Sequence, residues 1–334
     1  MTEEKKSAET LRALYAGIKD DMDRVEARLE EIVRSDNPLI GEISAYLFNQ
    51  GGKRLRPALL TLCARLSGDG GPATDTAFWS ALVEIIHTAS LVHDDIIDQT
   101  DLRRGRDTVH ARWGANITVL LGDHLYIHAI AQALRTRRFE IVDVLADASE
   151  RLIEGELLEY AVSGDAGLGE EKYFEILRKK TASLFVASCR IGGMVGGAGP
   201  DLLRRLEGYG LNLGLAFQIT DDLLDFTGRP AALGKPVLTD LRDGRITLPL
   251  IYALNKSTGP GRDEIVKEIA NRTVDPQTIG RIQKAVLASG AVPMVAAKAG
   301  EFIAAAKAAL NGLDESPAAK TLARLADFVL ERSV

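Results

Sequence analysis

Leu211-Asn212-Leu213-Gly214-Leu215-Ala216-Phe217-Gln218-Ile219-Thr220-Asp221-Asp222-Leu223-Leu224-Asp225 decides the fold. The stretch is apolar on almost every side and then ends in carboxylates. A helix without a wet face belongs at the centre of a large bundle. Polar residues there are costly unless they have partners or a task. Working outward, helical periodicity continues over 170–192 and 199–227, and downstream over 245–256. Upstream it covers 53–67, 74–99, 115–136 and 138–161, with Ile117 to Leu121 again apolar all round. Leu11, Leu14, Ile18, Met22, Val25, Leu29 and Ile32 recur every three or four residues and predict one long amphipathic helix, broken at Asn37-Pro38. The segment 262–332 predicts three or four more helices. Gly/Pro/Asp clusters separate these elements, and neither an alternating strand nor an internal repeat is legible. The expectation is an all-α fold, one large helical domain over 1–334, although a chain of 334 residues favours two domains on length alone.

Composition narrows the function classes. Lys and Arg number 41 against 47 Asp and Glu, a net charge of −6, which argues against a general nucleic-acid binder. Cys63 and Cys189 are too few for a disulfide framework and suit a reducing compartment, so the expected location is the cytoplasm. No continuous apolar run reaches the roughly 18 residues of a membrane helix, and Met1-Thr2-Glu3-Glu4-Lys5-Lys6 lacks a signal-like apolar core. No transmembrane segment is therefore expected.

Asp94-Asp95-Ile96-Ile97-Asp98 closes another apolar helix, with Asp94 and Asp98 one turn apart on one face and His87 two turns earlier. Such crowded carboxylates raise one another's pKa unless a cation intervenes. Hard oxygen ligands suit Mg²⁺, which takes one or two carboxylates plus substrate phosphates. Asp221-Asp222-Leu223-Leu224-Asp225 repeats the pattern, with Gln218 one turn earlier. One box alone has a second reading, a solvated acidic helix end. Two boxes, each ending a buried helix, read as facing walls around a metal-bound diphosphate. Cations follow them: Lys53 and Arg56 after Gly51-Gly52, Arg103-Arg104, Lys179-Lys180-Thr181, and Lys235 in a Gly-Lys-Pro loop. Arg grips phosphate oxygens bidentately and Lys acts as a point charge. His93, His110, His124 and His128 show no zinc-ligand spacing with cysteine.

These residues resemble the trans-isoprenyl diphosphate synthase (polyprenyl synthetase) family, most closely its long-chain members. The resemblance runs in order from about Leu39 to Leu250 through GGKRLRP (51–57), HTASLVHDDIID (87–98), DLRRG (101–105), GD (122–123), EGE (154–156), KT (180–181), FQITDDLLD (217–225), GKP (234–236) and DLRDGRITLP (240–249). It implies a helical bundle around a central cavity, a homodimer, and Mg²⁺, about three ions per site. It implies metal ligation by Asp94, Asp98, Asp221 and Asp225. It places Lys53, Arg56, His87 and Arg104 on isopentenyl diphosphate, and Arg103, Lys180, Thr181, Gln218 and Lys235 on the allylic diphosphate. Glu159 stands where Gln is common, Leu238 where Gly is common, and Arg245 where Lys is usual.

The implied reaction condenses the two diphosphates into an all-trans polyprenyl diphosphate, with Lys180, Thr181 and Gln218 around the reacting carbon. Product length is set by how deep the tail can run, and one helical turn is about 5.4 Å. Ala89 and Ser90, just before the first box, are small, and Ile86 one turn deeper is not aromatic. This predicts a long product of about C30–C40, as in quinone side chains, with about C20 as the competitor. A terpene cyclase fits less well, because the second acidic box and the 51–57 clamp are both present. A non-catalytic subunit of such a synthase fits less well, because both boxes are complete.

Overall fold

The computed structural model describes residues 3–49, 51–68, 75–103, 105–228, 238–257, 260–270, 276–313 and 315–331. The predicted first helix is two, α1 (Glu3–Tyr15) and α2 (Lys19–Ile32), joined by one tight turn over Ala16–Ile18. The break costs the stripe nothing, since Leu11, Leu14, Ile18, Val25 and Leu29 all remain buried. Asn37 and Pro38 start a helix rather than only ending one. The Asn37 side chain accepts from Leu39 N and Ile40 N, and Pro38 takes the first position of α3 (Pro38–Phe48), where no N–H is needed. Next come α4 (Leu55–Ser67) and α5 (Thr76–Ile97), the latter capped by Asp75.

The loop after the first box holds a two-residue hairpin, β1 (Leu102–Arg103) against β2 (Arg106–Asp107), a strand pair too short to show an alternation in sequence. Beyond it lie α6 (Val109–Trp113), α7 (Ala115–Arg135), α8 (Phe139–Ala161) and α9 (Glu170–Leu177). α9 runs through a π-helical turn, Arg178–Ala182, into α10 (Ser183–Gly196). The long α11 (Pro200–Thr227) carries the second box. The chain closes with α12 (Thr239–Arg242), α13 (Leu248–Lys256), α14 (Pro260–Ala270), α15 (Pro276–Ala288), α16 (Ala291–Ala308) and α17 (Pro317–Glu331).

Three apolar clusters hold the bundle. One packs α2, α5, α7 and α8 through Leu82, Ile86, Leu125 and Leu145. A second packs α9, α11 and α13 to α16 through Phe174, Ile219 and Phe226. The third joins α4, α10, α11 and α17 through Leu59, Phe185 and Tyr209, whose hydroxyl donates to Leu322 O at 2.8 Å. Each fully buried Phe or Leu contributes about 1.5–3 kcal/mol. Two glycines bring the helices close around the π turn. A Cβ on Gly155 of α8 would lie 2.3 Å from Lys180 N, and one on Gly214 of α11 would lie 2.8 Å from Ala182 Cα. Any side chain at either position would push the π turn out of the bundle.

α7 is, by length and composition, long and apolar enough to cross a membrane, although Asp123, His124 and His128 interrupt any continuous apolar run. Only a third of that window is buried. His128 Nε2 lies 2.9 Å from Ile32 O, which ties the helix to α2.

Candidate active site

Five elements converge on one cavity of about 210 Å³. α5 brings Leu91, Asp94 and Asp98, and α8 brings Glu159. The α9–π segment brings Tyr173, Lys180 and Thr181, and α11 brings Gln218 and Asp222. The 240–247 segment closes the wall with Asp240, Arg245 and Thr247. The two acidic boxes, far apart in sequence, thus face one space. The π turn explains how Lys180 and Thr181 both reach it, because one extra residue in a helical turn turns side chains out of the regular register.

Ionic contacts tie the walls together. Lys180 Nζ lies 2.7 Å from Glu156 and 2.5 Å from Glu159. Arg245 reaches Asp98 at 2.9 Å and Asp243 at 2.7 Å, so it joins the first box to the segment after the second. Arg103 donates through Nε to Asp95 Oδ1 at 2.8 Å. A chain of hydrogen bonds runs from Tyr173 through Asp222 and Gln218 to Thr181.

Charge and burial shift several groups. Burial, then the negative charge of Glu156, pushes Asp94 up to about 7. Burial pulls Lys180 down, but Glu159, Glu156 and Asp94 outweigh it and hold the ammonium well above its usual range. Arg245 is likewise raised against burial, chiefly by Asp240 and Asp98. Burial and Asp240 push Asp222 up, and donors from Tyr173 and Gln218 oppose that.

The cavity wall carries five carboxylates, Asp94, Asp98, Glu159, Asp222 and Asp240, against three cations, Arg103, Lys180 and Arg245. With the Asp222 oxygens taken by Tyr173 and Gln218, Asp94, Asp98 and Asp240 remain as hard oxygen donors around a small polar space, which suits divalent cations of the Mg²⁺ type. Asp94 is raised because burial and Glu156 outweigh the opposing charges of Lys180 and Arg103.

The expected residues distribute unevenly. Asp94, Asp98, Arg103, Lys180, Thr181 and Gln218 all line the cavity. Asp221 is on the neighbouring face of α11, where its charge acts on Arg56. Asp225 is not among the residues that line the cavity. It is buried, Oδ1 accepts from Thr239 N and Oγ1, and Oδ2 accepts from Asp240 N, so it caps the start of α12. Arg56 and His87 form a separate wall. Arg56 donates to His87 Nε2 at 3.0 Å and stacks over Phe185 at 4.6 Å, and burial lowers its pKa to about 10. Arg56 Nε is buried without a hydrogen-bond partner among the described residues. Lys53 is exposed at the same end, where its carbonyl accepts from Tyr15. Between them, Arg54 adopts a left-handed φ of 47° and is clamped by Glu26 at 2.7 Å and Glu84 at 2.8 Å. Arg104 and Lys235 lie outside the described residues.

Ile86 and Ala89 are fully buried in the core cluster below the first box. Ser90 donates to His87 O at 2.8 Å and is also hydrogen-bonded to Tyr126 of α7. Leu238, where Gly is common in the resembling family, has φ 61°, a left-handed backbone that Gly adopts freely and Leu does not. Sequence reasoning missed Asp222, Asp240 and Tyr173. The first stood in plain view inside the second box, whereas nothing local to Tyr173 signals its partner 49 residues on.

Comparison with known proteins adds four findings. A family described as Polyprenyl synthetase matches residues 37–286. The octaprenyl diphosphate synthase of Escherichia coli K12 is 35% identical over 312 residues, covering 93% of this chain and 96% of that protein. A short chain isoprenyl diphosphate synthase of Methanothermobacter thermautotrophicus is also 35% identical, over 313 residues and 92% and 95% of the two chains. A crystal structure of polyprenyl synthase from Caulobacter crescentus, complexed with calcium and isoprenyl diphosphate, superposes with a TM-score of 0.91 at 36% identity, covering 97% of this chain and 98% of that one.

Proposed function

The chain belongs to the polyprenyl synthetase family and is a trans-prenyltransferase, and on that premise we propose that it condenses isopentenyl diphosphate with an allylic diphosphate to give all-trans products of about C30–C40, as used for quinone side chains. The observation that carries the reading is the single cavity shared by both acidic boxes and Lys180. Divalent ions such as Mg²⁺, about three per site, would be held by Asp94, Asp98, Asp221 and Asp225, and would act as Lewis acids on the leaving diphosphate. Lys180 and Arg103 add fixed positive charge to that group. Thr181 and Gln218 face the developing allylic cation with dipoles, which stabilise positive charge without trapping it readily. Arg56, Lys53 and His87 grip the diphosphate of the nucleophile, whose alkene attacks C1, and the departing pyrophosphate takes the proton. The apolar walls Leu91, Ile176 and Leu177 limit water beside the cation.

The test is mass spectrometry of products made from isopentenyl diphosphate with geranyl or farnesyl diphosphate and Mg²⁺. Elongated all-trans chains support the reading, and no elongation defeats it. The same measurement separates about C30–C40 from about C20, which matters because octaprenyl and short-chain relatives are equally similar. The small side chains of Ala89 and Ser90 before the first box, with the non-aromatic Ile86 one turn deeper, support the longer product. Ala89→Phe places a ring one turn before Asp94 and is expected to shorten the main product by about two to four isoprene units. An unchanged product distribution removes Ala89 from the floor.

We also propose a homodimer built on α7. Leu120, Ile127 and Leu134 are exposed by 65%, 69% and 46% and lie seven residues apart, one continuous stripe on the outer face. Such a stripe suits a second copy of itself. Ile127→Glu is expected to halve the mass measured by light scattering, from about twice 36.1 kDa. Two free, buried thiols support a cytoplasmic location.

A further inference from the structure

Asp222 belongs to the second acidic box, yet its oxygens are committed to protein donors. It is 3% exposed. Tyr173 Oη donates to Oδ2 at 2.6 Å, and Gln218 Nε2 donates to Oδ1 at 2.8 Å. Because Asp222 Oδ1 accepts, Gln218 meets it through its NH₂ group. Its carbonyl oxygen, Oε1, is thereby turned the other way, to within 2.9 Å of Thr181 Oγ1. An amide oxygen has no proton to give, so Thr181 must spend its single hydroxyl proton there. The remaining lone pairs of Thr181 Oγ1 are the part left to face the cavity that all four side chains line. The hydrogen-bond directions from Gln218 to Thr181 follow from Asp222 Oδ1 accepting from Gln218 Nε2.

We propose that Asp222 and Tyr173 are positioning residues: they lock the Gln218 amide so that Thr181 presents oxygen rather than hydrogen to the allylic carbon as its bond to diphosphate breaks. The inference rests on the condensation proposed above. If Asp222 let go, the amide could rotate, Thr181 could turn its proton inward, and a positive end of a dipole would meet the cation. Ground-state binding would change little, because neither Asp222 nor Tyr173 belongs to the diphosphate-binding cations.

The test compares D222N, D222L and Y173F with wild type by kcat, the KM of each diphosphate and the Mg²⁺ concentration giving half-maximal rate. D222N keeps an oxygen for Gln218 Nε2 and offers its NH₂ to Tyr173 Oη, so it is expected to stay within about threefold of wild type in every parameter. D222L removes both acceptors and should lower kcat about a hundredfold, with both KM values and the Mg²⁺ midpoint within about threefold. In the D222L background, Q218L should cost almost nothing more, because the amide is already unlocked. Y173F should lower kcat by about fivefold with the same pattern. A metal-ligand role predicts the opposite: D222N as damaging as D222L, and an Mg²⁺ midpoint raised about tenfold or more. Either result overturns the proposal, as does an unchanged kcat in D222L. If D222L fails to fold, as its near-ultraviolet circular dichroism would reveal, D222N and Y173F decide by the same criteria. Failure of wild type to elongate any allylic diphosphate would instead defeat the proposed reaction, an outcome distinct from active but indistinguishable variants.

Discussion

Asp94→Asn is expected to stabilise the metal-free protein at pH 8 and to lower condensation by about 10³-fold or more. Burial and Glu156 hold the folded-state Asp94 at about 7, against 3.8 for the free side chain. The folded state therefore binds the proton more tightly than the unfolded chain does. Stability from this group is present at low pH and is lost as pH rises between about 4 and 7. Above pH 7 the fold carries a desolvated charge beside other carboxylates, at a full cost of about 4 kcal/mol. Asp94 is still partly exposed, and solvent screening lowers that to about 1–2 kcal/mol. Asn removes the charge and keeps the shape. The metal-free melting temperature should rise by about 2–6 °C at pH 8 and stay unchanged at pH 4. Scanning calorimetry at the two pH values, alongside turnover with Mg²⁺, checks both halves. A melting point unchanged at pH 8 would show that Asp94 is well solvated.

Lys180→Ala should damage both stability and rate. Its ammonium is the shared counter-ion of Glu156 and Glu159, and its charge also acts on Asp94. Removing it leaves three crowded carboxylates and should cost about 2–4 kcal/mol at pH 8. The loss should shrink as pH falls toward 5, because protonation of the orphaned acids relieves the repulsion. The turnover rate should fall by about 10²- to 10³-fold, since the leaving diphosphate loses a fixed cation. Lys180→Arg should recover most of the stability and only part of the rate. Its fork is larger than the point charge that fits between Glu156 and Glu159. Thermal melts at pH 8 and pH 5, with steady-state kinetics, separate the two effects.

The helical character was legible because it is local. Apolar residues three and four apart around Leu211 to Ile219 demand a buried helix in any packing, and α11 forms there. The boundaries were less legible. The break at Ala16–Ile18 leaves the apolar stripe unchanged, so periodicity could not reveal it. The surroundings of the second box were less legible than its spacing. Asp225 has the right spacing, but what it meets is the 239–240 backbone, and spacing cannot report which way a loop returns.

Residue type and spacing were enough to establish the all-helical class, the two carboxylate boxes, the cations that follow them and the small residues before the first box. These follow from the period of a helix and from what oxygen and nitrogen groups can bind, neither of which needs a partner's position. Tertiary packing alone decided that Asp222, Asp240 and Tyr173 stand on the cavity wall, that Arg245 crosses to Asp98, and that Asp225 turns to a cap. Each of those outcomes depends on contacts between residues about 14 to 150 positions apart, which local spacing cannot report.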